Sequence, residues 1–273
     1  MNNPVVVGGM KIGGSNPLIL IAGPCVIENE KHCLSMAGKL SRISESEGIG
    51  LIFKSSYDKA NRMKLESFRG PGIKKGLSIL KKVKKEFNLP VITDVHRESE
   101  VDDVAEVADI IQIPAFLCRQ TDLLVKSAGT KKPLNIKKGQ FVAPWDMKYI
   151  VEKAESAGNK NIIVTERGYS FGYNNLVCDI RSLCLLNSIG TPVVLDVTHS
   201  LQLPGGRSGS SGGQSVFIAP LARAGVASGC DAIFMEVHDN PGKAPCDGPN
   251  MLNIKYLPDL IKKLKDIDRI VKE

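Results

Sequence analysis

Lys75-Gly-Leu-Ser-Ile-Leu-Lys-Lys-Val-Lys-Lys-Glu-Phe87, then Asn88-Leu-Pro90, then Val91-Ile-Thr-Asp-Val-His96: this stretch holds one complete helix–strand unit. Apolar residues recur at helical spacing over 75–87, and the lysines between them read as a solvated helix face. Val91–Thr93 is a short β-rich run, and polar Asp94 and His96 follow it. The same rhythm extends in both directions. Apolar runs stand at Leu18–Ala22 and Leu51–Phe53 before this unit. Others stand at Ile110–Ile113, Leu134–Ile136, Ile162–Thr165, Val193–Leu195 and Ala232–Met235 after it. Helical spacing appears again at Cys33–Ser46. Near-continuous apolar strands alternating with amphipathic helices imply a parallel sheet covered on both sides. Eight such units in 273 residues predict an α/β fold, a (β/α)8 TIM barrel, over an open doubly wound sheet with the same rhythm. A short N-terminal β-hairpin, Val5–Val7 and Met10–Ile12, turns at Gly8-Gly9. No linker or composition break interrupts the chain, so one barrel domain over 1–273 is expected.

The residues that end each run carry the functional signal. They are Gly23-Pro24-Cys25, Lys54, Asp94 with His96, Gln112, Lys137-Lys138, Glu166-Arg167, Asp196 with His199, and Glu236 with His238. In a barrel all eight strands point one way, so these side chains converge on the rim where barrel active sites are built. One lysine or glutamate after a strand is ordinary loop charge; a reactive type after every strand is not.

Composition narrows the function class. Lys+Arg 36 against Asp+Glu 29 leaves a net charge of +7, with aromatics only 5%. Nucleic-acid surfaces interleave basic and stacking residues, so a small anionic substrate is the better expectation. No apolar run approaches membrane-spanning length, and Met1-Asn-Asn-Pro-Val-Val-Val7 lacks a basic leader. Seven cysteines without a spacing framework fit a reducing compartment, and a cytoplasmic protein with neither nucleic-acid nor membrane partners is expected.

Two constellations can carry chemistry. Cys25 follows the first strand, His199 the seventh and Glu236 the eighth, with Asp247 in the loop beyond. Strands one and eight are neighbours in a closed barrel, so these four can meet. A thiolate, an imidazole and two carboxylates suit Zn, Fe or Mn. A structural cysteine and a core histidine are the plainer reading of the types alone, and His238 and Cys246 are rivals by type. The second set is cationic. Lys54, Lys59, Arg62 and Arg69 crowd one polar stretch, with Arg119, Lys137, Lys138 and Arg167 on later strands. Two substrates bearing phosphate and carboxylate need about this many donors. Gly-rich segments at Leu203–Gly213 and Arg167–Asn175 read as a flexible phosphate-binding loop or lid and as a loop that fixes Arg167.

Read in order, these motifs resemble the 3-deoxy-D-manno-octulosonate 8-phosphate synthases along essentially the whole chain. They include Ala22-Gly-Pro-Cys25, Phe53-Lys-Ser-Ser-Tyr-Asp-Lys-Ala-Asn-Arg62, Thr93-Asp-Val-His96 and Ile111-Gln-Ile-Pro-Ala-Phe116. Arg119-Gln-Thr-Asp122, Asn135-Ile-Lys-Lys138, Phe171-Gly-Tyr-Asn-Asn175, Asp196-Val-Thr-His199 and Cys246-Asp-Gly-Pro249 continue the set. The resemblance implies condensation of phosphoenolpyruvate with D-arabinose 5-phosphate, on the route to lipopolysaccharide, by a barrel that is usually tetrameric. Cys25 places the chain with the metal-dependent branch, with His199, Glu236 and Asp247 as the remaining ligands. By the same resemblance Lys54, Lys59, Gln112, Lys137 and Arg167 hold phosphoenolpyruvate. Asn61, Arg62 and Ser211 hold the sugar phosphate, and Arg119 reaches it from a neighbouring subunit. His96 and Asp94 are candidates for the water proton, and Lys59 for an acid. Departures are Tyr57, where Phe is common, and Met63-Lys64-Leu65. The related synthase that uses erythrose 4-phosphate usually has Lys-Pro-Arg-Thr where this chain has Lys59-Ala-Asn-Arg62. A non-catalytic anion-binding barrel is the alternative of another class.

Overall fold

The computed structural model describes residues 3–207 and 210–273. Each apolar run forms a strand: β1 Ile19–Gly23, β2 Gly50–Lys54, β3 Val91–Asp94, β4 Ile110–Ile113, β5 Leu134–Lys137, β6 Ile162–Glu166, β7 Val193–Asp196 and β8 Ala232–His238. Neighbours pair in parallel from β1 round to β7, and β8 pairs with both β1 (Phe234 opposite Ile21) and β7 (Phe234 opposite Asp196). The sheet is therefore a closed eight-stranded barrel. Helices α1 Glu30–Glu47, α2 Ile73–Phe87, α3 Val101–Val107, α4 Thr121–Gly129, α5 Met147–Ser156, α6 Arg181–Asn187, α7 Ile218–Ala227 and α8 Leu257–Lys272 follow the strands in turn. In α2, Leu77, Ile79, Leu80 and Val83 are buried while Lys81, Lys82 and Lys85 are exposed, so the lysine run is a solvated face.

Strand alternation separates two cores. Ile19, Ile21, Ile52, Ile92, Ile110, Ile163, Val194 and Phe234 fill the barrel with Val5, Val7 and Ile12 of the hairpin. The opposite faces pack against the helices. The hairpin sits where Pro90 and Pro192 precede β3 and β7, so it plugs the N-terminal end. With a period of two, the next inward residues are Lys54, Asp94, Gln112, Thr165, Asp196 and Glu236. Only polar side chains thus complete the barrel's upper layer. Several of these residues are the last of their strand rather than the first of the loop, because the parallel ladder runs one residue past the apolar run.

Two loop expectations change. The Gly-rich segment expected to be a flexible loop pairs with itself as an antiparallel hairpin, Gln202–Arg207 with Ser210–Gly213. The Arg167 loop is closed by a short pairing of Tyr169–Ser170 with Leu176–Val177. No helix among the described residues is long and apolar enough to cross a membrane.

Candidate active site

A cavity of about 750 Å³ opens at the C-terminal rim. Lys54, Lys59, Asn61, Arg62, Asp94, His96, Gln112, Lys137, Arg167, His199 and Asp247 all line it. Its floor begins at Gly23, where a Cβ would stand 1.9 Å from the Lys54 carbonyl oxygen. Only glycine lets β1 and β2 approach so closely and deliver Cys25 beside Lys54.

One hydroxyl organises the cationic side. Ser56 Oγ accepts from Lys54 Nζ at 2.9 Å and from Lys59 Nζ at 3.1 Å, and donates to Asp94. Burial alone would raise Asp94, yet Lys54, Lys59, His96 and the Ser56 bond hold it well below the usual carboxylate range. His96 Nε2 lies 3.5 Å from Asp94 Oδ2. Tyr57, the departure noted above, is buried, donates its hydroxyl to Glu100 at 2.7 Å and sets its ring edge-on to His96. Burial opposes the charge on Lys59, but Cys25, Glu236, Asp94 and Cys246 push it well above its ordinary value. Its charged form is therefore favoured in the free protein. Lys137 behaves differently. Burial, with Lys54 and Arg167 nearby, brings it down to about 8 against the pull of Asp196.

The opposite side of the cavity is anionic. His199, Glu236 and Asp247 offer ligand atoms within 4.8 Å of one another, and so do Cys25, Cys246 and Asp247. Asp247 joins the two groups: its Oδ2 accepts from Cys25 Sγ at 3.3 Å. Both Glu236 carboxylate oxygens are buried and lack a hydrogen-bond partner among the described residues. Oε1 has His199 Nε2 at 3.4 Å, Lys54 Nζ at 3.8 Å and Lys59 Nζ at 3.9 Å. A buried carboxylate with neither oxygen hydrogen-bonded is suited to a further cation. Asp196 accepts from His199 Nδ1 at 2.6 Å, which leaves Nε2 to face Glu236. Burial pushes the Cys25 thiol well above its ordinary value, so a bound ion must displace its proton. One sulfur, one nitrogen and carboxylate oxygens at this spacing fit a divalent metal.

Some expectations need correction. Lys138 does not face the cavity: it is buried behind the rim, 3.3 Å from Glu166 Oε1 and bonded to the Gly168 carbonyl, because neighbours on a strand point to opposite faces. Arg69 pairs with Asp58 at the surface. His238 leaves the ligand set, since its Nε2 meets Glu28 Oε1 at 2.8 Å beside His32; Cys246 stays next to Cys25. Arg119 is exposed and is not among the residues lining the cavity of its own chain. The Ser211 side chain lies outside the described residues. Two contributors were not singled out from sequence, Ser56 and Gln202, and Asp196 was placed with His199 at its strand end without a role. The Asp196-x-x-His199 spacing after a strand was a usable signal for that role.

The family model described as the DAHP synthetase I family matches residues 2–273. The chain is 61% identical over 272 residues to the 2-dehydro-3-deoxyphosphooctonate aldolase of Geotalea uraniireducens (strain Rf4). It is 58% identical over 273 residues to the protein of that name from Geobacter sp. (strain M21), and 58% over 272 to that of Geobacter sulfurreducens. Each alignment covers 100% of both chains.

Proposed function

The chain belongs to the DAHP synthetase I family, and on that premise we propose that it condenses phosphoenolpyruvate with D-arabinose 5-phosphate and water. The products are 3-deoxy-D-manno-octulosonate 8-phosphate and inorganic phosphate. The observation that carries this reading is full-length identity of 55% to 61% to relatives named 2-dehydro-3-deoxyphosphooctonate aldolase. It is an aldol-type transferase reaction: the enol carbon of phosphoenolpyruvate bonds to the aldehyde carbon, water oxygen adds to the adjacent carbon, and phosphate leaves with C–O cleavage.

Each rim residue has a part in that chemistry. Lys54, Lys59, Gln112, Lys137 and Arg167 bind the carboxylate and phosphate of phosphoenolpyruvate, neutralising charge that would repel a second anion. Asn61 and Arg62 line the cavity and take the sugar phosphate, with Ser211. The Asn61 amide reads a sugar hydroxyl, which selects the five-carbon aldose over the four-carbon one. Asp94 and His96, close together and lining the cavity, handle the water proton. Cys25, His199, Glu236 and Asp247 hold a divalent ion, with Zn, Fe and Mn all suited to the donor set. When bound, that ion polarises the aldehyde or the attacking water.

Assembly completes the reading. Arg119 is exposed beside Phe116, and Trp145 and Phe171 are also exposed near the rim. These features suit a homotetramer in the cytoplasm in which Arg119 enters a neighbouring subunit's site. The direct assay is phosphate release from phosphoenolpyruvate with arabinose 5-phosphate, before and after chelation and after Mn addition. Release that needs the aldose, falls on chelation and returns with metal is expected. Absent release rejects the assignment, and aldose-dependent release indifferent to chelation rejects the metal.

A further inference from the structure

We propose that Gln202 is a positioning residue that keeps Arg167 and Asp247 from pairing with each other, and so holds the phosphoenolpyruvate half and the metal half of the site ready at once. The inference rests on the functional reading above and adds to it a residue that need touch neither ligand.

The geometry is a three-member chain. Arg167 Nη2 donates to Gln202 Oε1 at 2.8 Å, and Gln202 Nε2 donates to Asp247 Oδ1 at 3.2 Å. A guanidinium has only donors and an ionised carboxylate only acceptors, so a single orientation of the amide satisfies both. Each neighbour is left with one free face. Arg167 Nη1 is buried and has no hydrogen-bond partner among the described residues, which leaves it for an incoming anion. Asp247 Oδ1 accepts from the amide, while Oδ2 lies on the side of Cys25. Gln202 thus fixes which carboxylate oxygen faces the candidate metal ligands.

The backbone holds the amide in place. Gln202 begins the hairpin, opposite Gly213. A Cβ on Gly213 would stand 1.8 Å from Asn250 Oδ1, and Asn250 Nδ2 donates to the Gly212 carbonyl at 3.1 Å. The hairpin base is therefore tied to the loop that presents Asp247. Asp247 itself has φ 49°, a left-handed conformation uncommon for residues other than glycine, in the turn before Gly248. Without the amide, a buried arginine and a partly buried carboxylate of opposite charge would close on each other. The ion would lose a carboxylate and phosphoenolpyruvate its guanidinium, both to one unproductive ion pair.

Two variants test this. Gln202→Leu removes both hydrogen bonds at similar volume; Gln202→Glu keeps the acceptor for Arg167 and removes the donor to Asp247. Mn²⁺ affinity is read from the resonance of the free ion, and phosphoenolpyruvate affinity from calorimetry on chelator-treated protein. The Leu variant is expected to lose affinity for Mn²⁺ by about tenfold or more, as for other residues that orient metal ligands. It should also lose about tenfold for phosphoenolpyruvate, whereas the Glu variant stays within about threefold of the parent because the arginine keeps an acceptor for Nη2. A Leu variant that melts with the parent and keeps both affinities overturns the inference. So does a Glu variant as weak for phosphoenolpyruvate as the Leu variant. Failure of the parent itself to bind phosphoenolpyruvate rejects the functional reading, and this inference with it.

Discussion

His199 Nδ1 lies 2.6 Å from Asp196 Oδ2, and that contact leaves the histidine one free ring nitrogen, Nε2. Asp196 also accepts the backbone N–H groups of Thr198 at 3.0 Å and His199 at 2.8 Å, and the Lys137 ammonium. Burial alone would raise Asp196, but His199 and Lys137 hold it far below the usual carboxylate range. It therefore stays ionised, keeps the proton on Nδ1 and turns Nε2 toward Glu236. Asp196→Asn should weaken metal retention by roughly ten- to a hundredfold, since an amide can present its NH₂ to Nδ1 and reverse the tautomer. Metal content after dialysis, measured beside the melting temperature, checks this. Full retention would mean that His199 is oriented by packing alone.

Cys25→Ala removes one small side chain from a buried rim position, so the barrel should survive while metal content and chelator-sensitive activity fall together. Elemental analysis and phosphate release on one preparation are the measurements. A variant with undiminished metal-dependent turnover would leave Cys25 a structural thiol.

Lys137 sits at about 8, so its charge is present below that pH and lost above it. A bound anion favours the ammonium and raises its pKa in the complex. Phosphoenolpyruvate affinity should therefore decline as pH climbs through about 8, with a slope approaching one decade per pH unit. Calorimetry on metal-free protein across that range should show the inflection, and Lys137→Arg should remove it. Flat affinity in the parent would place the anion away from Lys137.

The strands and the rim were legible because apolar runs and their polar ends both follow backbone periodicity. The choice between Lys137 and Lys138 was legible in principle. Lys137 shares parity with Asn135, whose amide donates to Gln112 inside the barrel, and Lys138 does not. Other features were not legible. Ser56 looks like any serine until Lys54, Lys59 and Asp94 are seen to share its hydroxyl, because Asp94 comes from the next strand, 38 residues on. Gln202 stands before a Gly-rich segment that reads as a loop. Only its pairing with Gly213 brings the amide between Arg167 and Asp247. His238 shares its strand with Glu236 and its residue type with His199, but Glu28 claims it, and that pairing depends on how the segment before α1 meets β8.

Arg119 offers a test of assembly. It is exposed, and it does not line the cavity of its own chain. Subunits carrying Arg119→Ala, co-expressed under separate tags with subunits carrying Lys137→Ala, should recover part of the activity that each lacks alone. Some mixed oligomers then contain a site with both residues intact. No recovery in oligomers shown to carry both tags would confine Arg119 to its own subunit.

The choice of aldose is the most direct measure of the whole reading. Metal-loaded protein is given limiting phosphoenolpyruvate with equal arabinose 5-phosphate and erythrose 4-phosphate, and the product is weighed by mass spectrometry. Asn61 and Arg62 in the cavity wall, with the full-length likeness to the octonate aldolases, lead to the eight-carbon sugar acid phosphate as the dominant product. A seven-carbon product, or phosphoenolpyruvate left unconsumed, would contradict it.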